Sequence, residues 1–271
     1  MSLGHLRPLS FGEILDGAFV LYRRHLRTLF ATAVIPTIPI VLFWVVVGLS
    51  LSGGMSGLDR LGSIATYVLT PYSIAAMVIA WGALMSQVSQ AYLGGEVSVG
   101  AGYRVALRRS LSLFVAFVIS YVLFVLGLVL LIVPGVIAMI MLFSVWQAVV
   151  IEGKGPLAAI SRSRQLARGA WKRIFGLTVV SMIIAFMPSI LGTTTMIWVY
   201  GMETFNDPIM EIASDLGWAY IAMNLLSSLL SALTYPYFAA VMVLLYYDRR
   251  VRTEALDLEM ATDRLAGPVP V

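Results

Sequence analysis

The histidines of this chain are His5 and His25, and both stand in the N-terminal basic segment. Hydrolytic and transfer chemistry needs a positioned nucleophile, base or metal. Neither histidine has metal-ligand spacing to a carboxylate cluster. His25 follows Arg23 and Arg24, where a solvated or headgroup-facing ring is expected. Cysteine is absent, which excludes disulfides, thiolate nucleophiles and thiolate metal sites. The sequence contains no H-E-x-x-H, no G-x-S-x-G and no phosphate-cradling glycine loop with its lysine. The pairs Gly94-Gly95 and Gly153-Lys154-Gly155 precede basic helices and read as span ends and turns. The expectation is a non-enzyme with no catalytic residue, no metal site and no cofactor.

The next chemistry to weigh is transport. The chain is 60% hydrophobic and 12% charged, against roughly 25% charged in a soluble domain, and its mean hydropathy is +0.92. Apolar stretches at about 29–51, 72–93, 111–132, 135–151, 174–199 and 217–247 are each near the roughly 17–25 residues that cross a bilayer. None of their cores carries Asp, Glu, Lys, Arg or His, the residues that mark ion and proton pathways. Polar side chains do occur there: Gln87, Ser89 and Gln90; Gln147; Thr193, Thr194 and Thr195; Asn224, Ser227, Ser228, Ser231 and Thr234. Thr194, Asn224 and Ser228 are the candidates for a weakly polar path. Interhelical hydrogen bonding uses the same residue types and is the favoured reading.

The remaining candidates are the basic residues, and their placement also sets topology. Of the 18 Lys and Arg residues, all but Arg60 lie in segments that share one face of the six spans. Short-loop Lys/Arg bias is cytoplasmic, so both ends of the chain are expected inside. The cytoplasmic segments read as amphipathic helices over about 10–28, 98–109, 156–173 and 248–265. In the first, Phe11, Ile14, Leu15, Ala18, Phe19, Tyr22, Leu26 and Leu29 form one stripe, with Ser10 and Glu13 as a capping box. In the third, Pro156 opens the helix. Ala159, Ile160, Leu166, Ala167, Ala170 and Trp171 share its apolar arc, with Arg162, Arg168, Lys172 and Arg173 opposite. Leu244, Tyr247, Val251, Ala255, Leu258 and Leu265 continue the last span on one face, and Arg250 can pair with Glu254 at i,i+4. Clusters of this kind attract anionic headgroups. Arg23, Arg24, Arg27, Arg108, Arg109, Arg162, Arg168, Lys172 and Arg173 are the expected contacts to anionic lipid or a protein partner.

The elements that must position these residues form an all-α, polytopic membrane protein, a single domain over 1–271. Six transmembrane helices in three hairpins are expected, each hairpin preceded by an amphipathic helix. The run from Leu111 to Ile151 would be on the order of 60 Å as one helix, twice the bilayer core, and Pro134-Gly135 marks its break. Two short spans with a tight turn follow; a hairpin that dips in and returns is the alternative.

Four stretches taken in order carry a family resemblance: RPLSFGEILDGAFVLYRRH at 7–25, LIVPG at 131–135, EGKGPLAAISRSRQLARGAWKR at 152–173 and LLYYDRRVRTEALDLE at 244–259. Together they resemble the membrane domain associated with bacterial glycerophosphoryl diester phosphodiesterases, which similar stand-alone proteins share. The resemblance implies a multi-helix domain of the bacterial inner (plasma) membrane. It carries over no catalysis, because that family's phosphodiesterase chemistry resides in a separate soluble barrel. The function expected is a scaffold or partner subunit that binds anionic lipid or protein at a basic cytoplasmic face. The alternative is an uncoupled transporter of small molecules or lipid. The partners expected are membrane lipids and another membrane or cytoplasmic protein, with no nucleic acid.

Overall fold

The computed structural model describes residues 7–42, 45, 58–200 and 217–254, and among them the chain is helical, with no strand. The elements that matter here are α1 (Phe11–Arg24), α2 (Leu26–Val34), α3 (Leu58–Tyr92), α4 (Val99–Arg108), α5 (Ser110–Leu130), α6 (Ile132–Met141), α7 (Val145–Val150), α8 (Pro156–Ala167), α9 (Trp171–Tyr200) and α10 (Gly217–Glu254). Four stretches are long and apolar enough to cross a membrane: Tyr67–Tyr92, Ser110–Leu130, Ile132–Val150 and Leu225–Glu254. Two bent pairs bring the number to six if each pair is one span. This is the make-up of a multi-pass membrane protein. Large apolar side chains stand exposed along α5 and its end, among them Leu111, Val129, Leu130 and Ile132, as lipid-facing surfaces require.

The amphipathic helices begin where the sequence places them and end earlier. Ser10 caps α1: the Glu13 N–H donates to the Ser10 hydroxyl at 3.3 Å, and the Ser10 N–H donates to the Glu13 carboxylate at 2.6 Å. Two of the four donors orphaned at a helix start are thereby satisfied. The helix expected over 10–28 stops at Arg24. His25 takes φ −112°, ψ 20°, and the chain turns by 82° into Leu26–Leu42. Arg109, between α4 and α5, takes nearly the same conformation at φ −109°, ψ 9°. Both joints lie in the bridge region, which ordinary residues can occupy, so neither a glycine nor a proline announces them. The buried stripe of α1 is Ile14, Ala18 and Leu21; Phe11 and Phe19 of the expected stripe are exposed.

The helix expected over 156–173 is two helices. α8 stops at Ala167, and the chain turns by 107° into Trp171–Met187. Gly169 makes the turn with φ +74°, the left-handed region that glycine enters without steric cost. A Cβ there would meet no atom within 4 Å, so conformation and not space requires the glycine. The apolar arc of α8 is buried as far as Ala170, whereas Trp171 belongs to α9 and is exposed.

The apolar run 111–151 reverses at Leu131, three residues ahead of the expected Pro134-Gly135. Leu131 is extended (φ −174°, ψ 158°), and Pro134 sits inside the first turn of α6, where its missing N–H removes no helical bond. Gly127 and Gly135 face each other across the turn. A Cβ on Gly127 would fall 2.9 Å from the Cα of Gly135. Two backbones therefore touch where side chains would hold them apart.

The core gathers around the C-terminal half of α10. Residues 239–249 are all buried, and α9, α1, α3, α2 and α8 pack against this helix. A helix covered on every side is apolar all round, which is why this stretch reads as a span. Trp81 stacks on Phe238 and Tyr92 tilts against Tyr247, fixing α3 along α10. Leu244, Tyr247 and Val251 are buried on it as expected. Ala255, Leu258 and Leu265, and the helix expected beyond Glu254, lie outside the described residues.

Candidate functional site: a cationic cavity beside two carboxylate hubs

Of the residues expected on one open basic face, Arg162 and Arg173 are drawn into two hubs, each built on a carboxylate. Glu152 is the first. Arg162 donates to it from Nε at 2.9 and 3.0 Å, the Tyr246 hydroxyl donates at 2.5 Å, and Lys154 and Arg250 lie at 3.4 and 3.7 Å. The other edge of the Arg162 guanidinium pairs with Glu254, with Nη2 at 2.8 Å from Oε2. Arg250 also reaches Glu254 at 3.1 Å, the expected i,i+4 pair, and lies over the Tyr246 ring. Burial pushes the Glu152 carboxyl up, but the Tyr246 hydrogen bond, then Arg162 and Arg250, outweigh it and hold it below the usual carboxylate range. Two carboxylates meet two arginines and a lysine, so this hub is close to neutral and self-satisfied.

Asp248 is the second hub, and its side chain is fully buried. It accepts the Leu9 N–H at 2.8 Å and pairs with Arg173 at 3.1 Å and Arg252 at 2.9 Å. Arg173 and Arg252 both donate onward to the Leu9 carbonyl. Arg249, only 7% exposed, donates to the carbonyls of Leu166 at 2.9 Å and Arg168 at 3.1 Å. It thus closes the end of α8, where unsatisfied carbonyls favour a cation.

Beside this second hub lies a cavity of about 540 Å³ lined by Gly169, Ala170, Trp171, Lys172, Arg173, Arg249 and Arg252. Four cations face it. Asp248 pairs with two of them, Arg173 and Arg252, so the formal excess among the described residues is three positive charges. This imbalance separates the cavity from the Glu152 hub and makes it the better candidate for binding.

The remaining predicted contacts stand elsewhere. Arg109 is exposed and donates to the Gly153 carbonyl at 3.0 Å, while Arg108 and Arg168 are exposed. Arg23 and Arg24 line a separate cavity of about 310 Å³ with Phe19 and Val20, and Arg27 is exposed. The neighbouring Tyr22 hydroxyl donates to the Leu233 carbonyl. Leu233 lies fifteen residues back from Asp248 on α10, roughly 22 Å at helical rise. The basic residues therefore form two groups.

The polar residues of the apolar helices are mostly engaged in packing. Gln87 donates to the Thr32 hydroxyl at 2.8 Å and to the Ser98 carbonyl at 3.1 Å. Ser89 bonds the Tyr247 hydroxyl at 2.7 Å, and Thr234 donates to the Leu230 carbonyl of its own helix. Gln147 is buried with its Oε1 unpartnered. Of the candidate path residues, Thr194 is exposed and Ser228 half-buried; the side chain of Asn224 lies outside the described residues. Arg60 and the acidic residues expected opposite the basic face, Asp59, Glu203, Asp207, Glu211 and Asp215, likewise fall where the structure describes no side chain. Among the described residues no group of three or more His, Cys, Asp or Glu is placed to hold a metal ion.

A family model described as "Domain of unknown function (DUF7847)" matches residues 91–248, more than half of the chain. The chain belongs to the DUF7847 family. No curated protein and no solved structure matches it. The DUF7847 segment takes in α4 to α9 and α10 as far as Asp248, and so contains Glu152, Arg162, Lys172, Arg173 and Asp248. Leu9, Arg249, Arg252 and Glu254, which complete both hubs and the cavity, lie outside the matched residues.

The residues missed by sequence reading are the acceptors Glu152 and Asp248, the donor Tyr246, and Arg249 and Arg252 on the cavity wall. One signal was available. Carboxylates are sparse in the basic segments, and those at 152, 248 and 254 each stand within a few residues of a basic cluster.

Proposed function

We propose that this DUF7847 protein is a non-enzymatic scaffold of a bacterial inner membrane that holds anionic lipid on its basic, cytoplasmic side. In this reading six spans cross the membrane with both ends inside. They form three units, each an amphipathic helix leading into a hairpin. The resemblance to the membrane domain of glycerophosphoryl diester phosphodiesterases supports the compartment and the absence of catalysis.

The observation that carries the reading is where exposed cations stand relative to the bends. α1 and α4 end in Arg24 and Arg108, and α8 is followed by Arg168. Each then gives way within a few residues to an apolar helix. A cation ahead of a membrane-entering helix is both a topology signal and a headgroup contact. Exposed Phe19 and Val20 beside Arg23 and Arg24 give the mixed apolar and basic surface of an interfacial helix.

Two measurements test this. Reporter fusions after residue 254 are expected to give a cytoplasmic signal; an extracytoplasmic signal sinks the topology. Native mass spectrometry of the detergent-extracted protein is expected to show phosphatidylglycerol retained in preference to phosphatidylcholine. The preference should fall when Arg23, Arg24, Arg108 and Arg168 are changed together to Gln. Equal retention of both lipids, with a stoichiometric co-purifying protein, would replace lipid by a protein partner.

A further inference from the structure

We propose that the cavity between the start of α9 and the end of α10 is a discrete site for a phosphate group. The proposal rests on the reading that the basic side meets anionic partners, and narrows it from a surface to one site.

Charge selects this cavity. Lys172, Arg173, Arg249 and Arg252 line it, while Asp248 takes up part of the charge of Arg173 and Arg252. Lys172 has no carboxylate partner among the described residues and is exposed. Clustered like charges are unfavourable without a counter-anion, and a phosphate monoester brings about one and a half to two negative charges at neutral pH, and a phosphodiester headgroup fewer.

Donor supply fits as well. The Nε of Arg173 is buried and has no hydrogen-bond partner. Arg249, more than nine-tenths buried, is held rigidly by two carbonyls, which orients the rest of its guanidinium before any ligand arrives. The cavity also opens on the first turn of α9, where N–H groups have no acceptor within the helix. Planar guanidinium forks and a flexible ammonium together suit a tetrahedral oxyanion. At about 540 Å³ the cavity is in the range of small-ligand sites and has room for substituents on the phosphate. Trp171 on its wall offers an apolar face to a glycerol or acyl portion.

A phosphate group reaches such a site on a lipid headgroup or on a soluble molecule, and the test separates the two. The full chain is stripped of lipid in neutral detergent. It is then titrated with phosphatidylglycerol, phosphatidylcholine and inorganic phosphate, reading bound lipid by native mass spectrometry and the thermal unfolding midpoint. One tight anion per chain is expected. Lys172→Gln should weaken it about 5- to 10-fold, as loss of one charged contact does, and Lys172→Arg should keep it. Arg104→Gln, at an exposed cation outside the cavity, should leave it unchanged. Lys172 is exposed, so these variants keep the fold, and circular dichroism checks that they do. Stabilisation by inorganic phosphate that Lys172→Gln weakens assigns the site to soluble phosphate. Stabilisation by phosphatidylglycerol alone, again weakened in Lys172→Gln, assigns it to a headgroup. If Arg104→Gln weakens binding as much as Lys172→Gln, the attraction is diffuse: the discrete site is overturned and the basic-face reading stands. If neither phosphatidylglycerol nor phosphate binds in preference to phosphatidylcholine, both fall.

Discussion

The backbone N–H of Leu9 donates to the carboxylate of Asp248 at 2.8 Å, across 239 residues of chain. Arg173 and Arg252 return to the Leu9 carbonyl, so the segment entering α1 is tied on both its donor and its acceptor to the end of α10. Asp248 is buried among the two arginines. Asp248→Asn keeps the shape and removes the charge that balances them. Breaking one member of a buried pair costs about 3–5 kcal/mol, and the lower end is expected because Arg173 and Arg252 stay partly solvated. Hydrogen exchange should accelerate at residues 9–15 ahead of the rest of α1. Unchanged exchange there would show that Asp248 does not hold the segment.

Glu152 predicts a pH dependence. Its carboxyl lies below the usual range in the folded protein, so the folded state binds the proton less well than the unfolded state does. The stabilisation is therefore complete above the ordinary carboxylate value near 4.5 and is lost as pH falls through the lower folded value. Glu152→Gln removes it at all pH. The difference in unfolding midpoint between wild type and Glu152→Gln should be largest near neutrality and shrink below about pH 4.5. A difference that grows on acidification contradicts the depressed carboxyl.

Gly127 predicts a steric effect. Its Cβ position lies 2.9 Å from Gly135 Cα, and backbone cannot yield as a side-chain tip can. Gly127→Ala should destabilise by about 1–3 kcal/mol, the range for overpacking, even though alanine favours helix. Limited proteolysis near Leu131 or a thermal shift reads this. A stabilised Gly127→Ala would mean that the two helices are not in backbone contact.

Gly169 predicts a conformational one. Gly169→Ala meets no atom but must hold φ near +74°, at a cost of about 1–2 kcal/mol. The bend should relax, so Gly169→Ala should weaken anion binding at the cavity together with stability, whereas Gly169→Asn should be milder on both. Equal effects of alanine and asparagine would exclude the backbone explanation.

What could be read from the sequence divides by distance along the chain. The Ser10–Glu13 capping box and the Arg250–Glu254 pair are local, set by residue types three and four apart, and both are present. The reversal inside 111–151 was legible from Pro134-Gly135 because length alone forbids one helix. Its position moved to Leu131 because proline is tolerated in a first helical turn. The joint at His25 was not legible, since its conformation needs no special residue, whereas the joint at Arg109 falls where the expected helix over 98–109 gives way to the apolar run from 111. Nor were the hubs, because nothing local says that Glu152 will meet Arg162, Tyr246 and Arg250 together, or that Arg249 will close α8. The candidate cavity was half legible: Lys172 and Arg173 stood out as basic, but their partners come from the far end of the chain.

Both hubs are completed by the last turns of α10, which the ribosome makes about 240 residues after Leu9. At roughly 5–20 residues per second Leu9 exists for about 12–48 s without Asp248, whereas Arg173 and Arg162 wait about 4–18 s for Asp248 and Glu254. In the proposed reading Arg173 then stands at the membrane surface with anionic lipid as its counter-charge, closing the clasp displaces that lipid, and the order of synthesis becomes an order of partners.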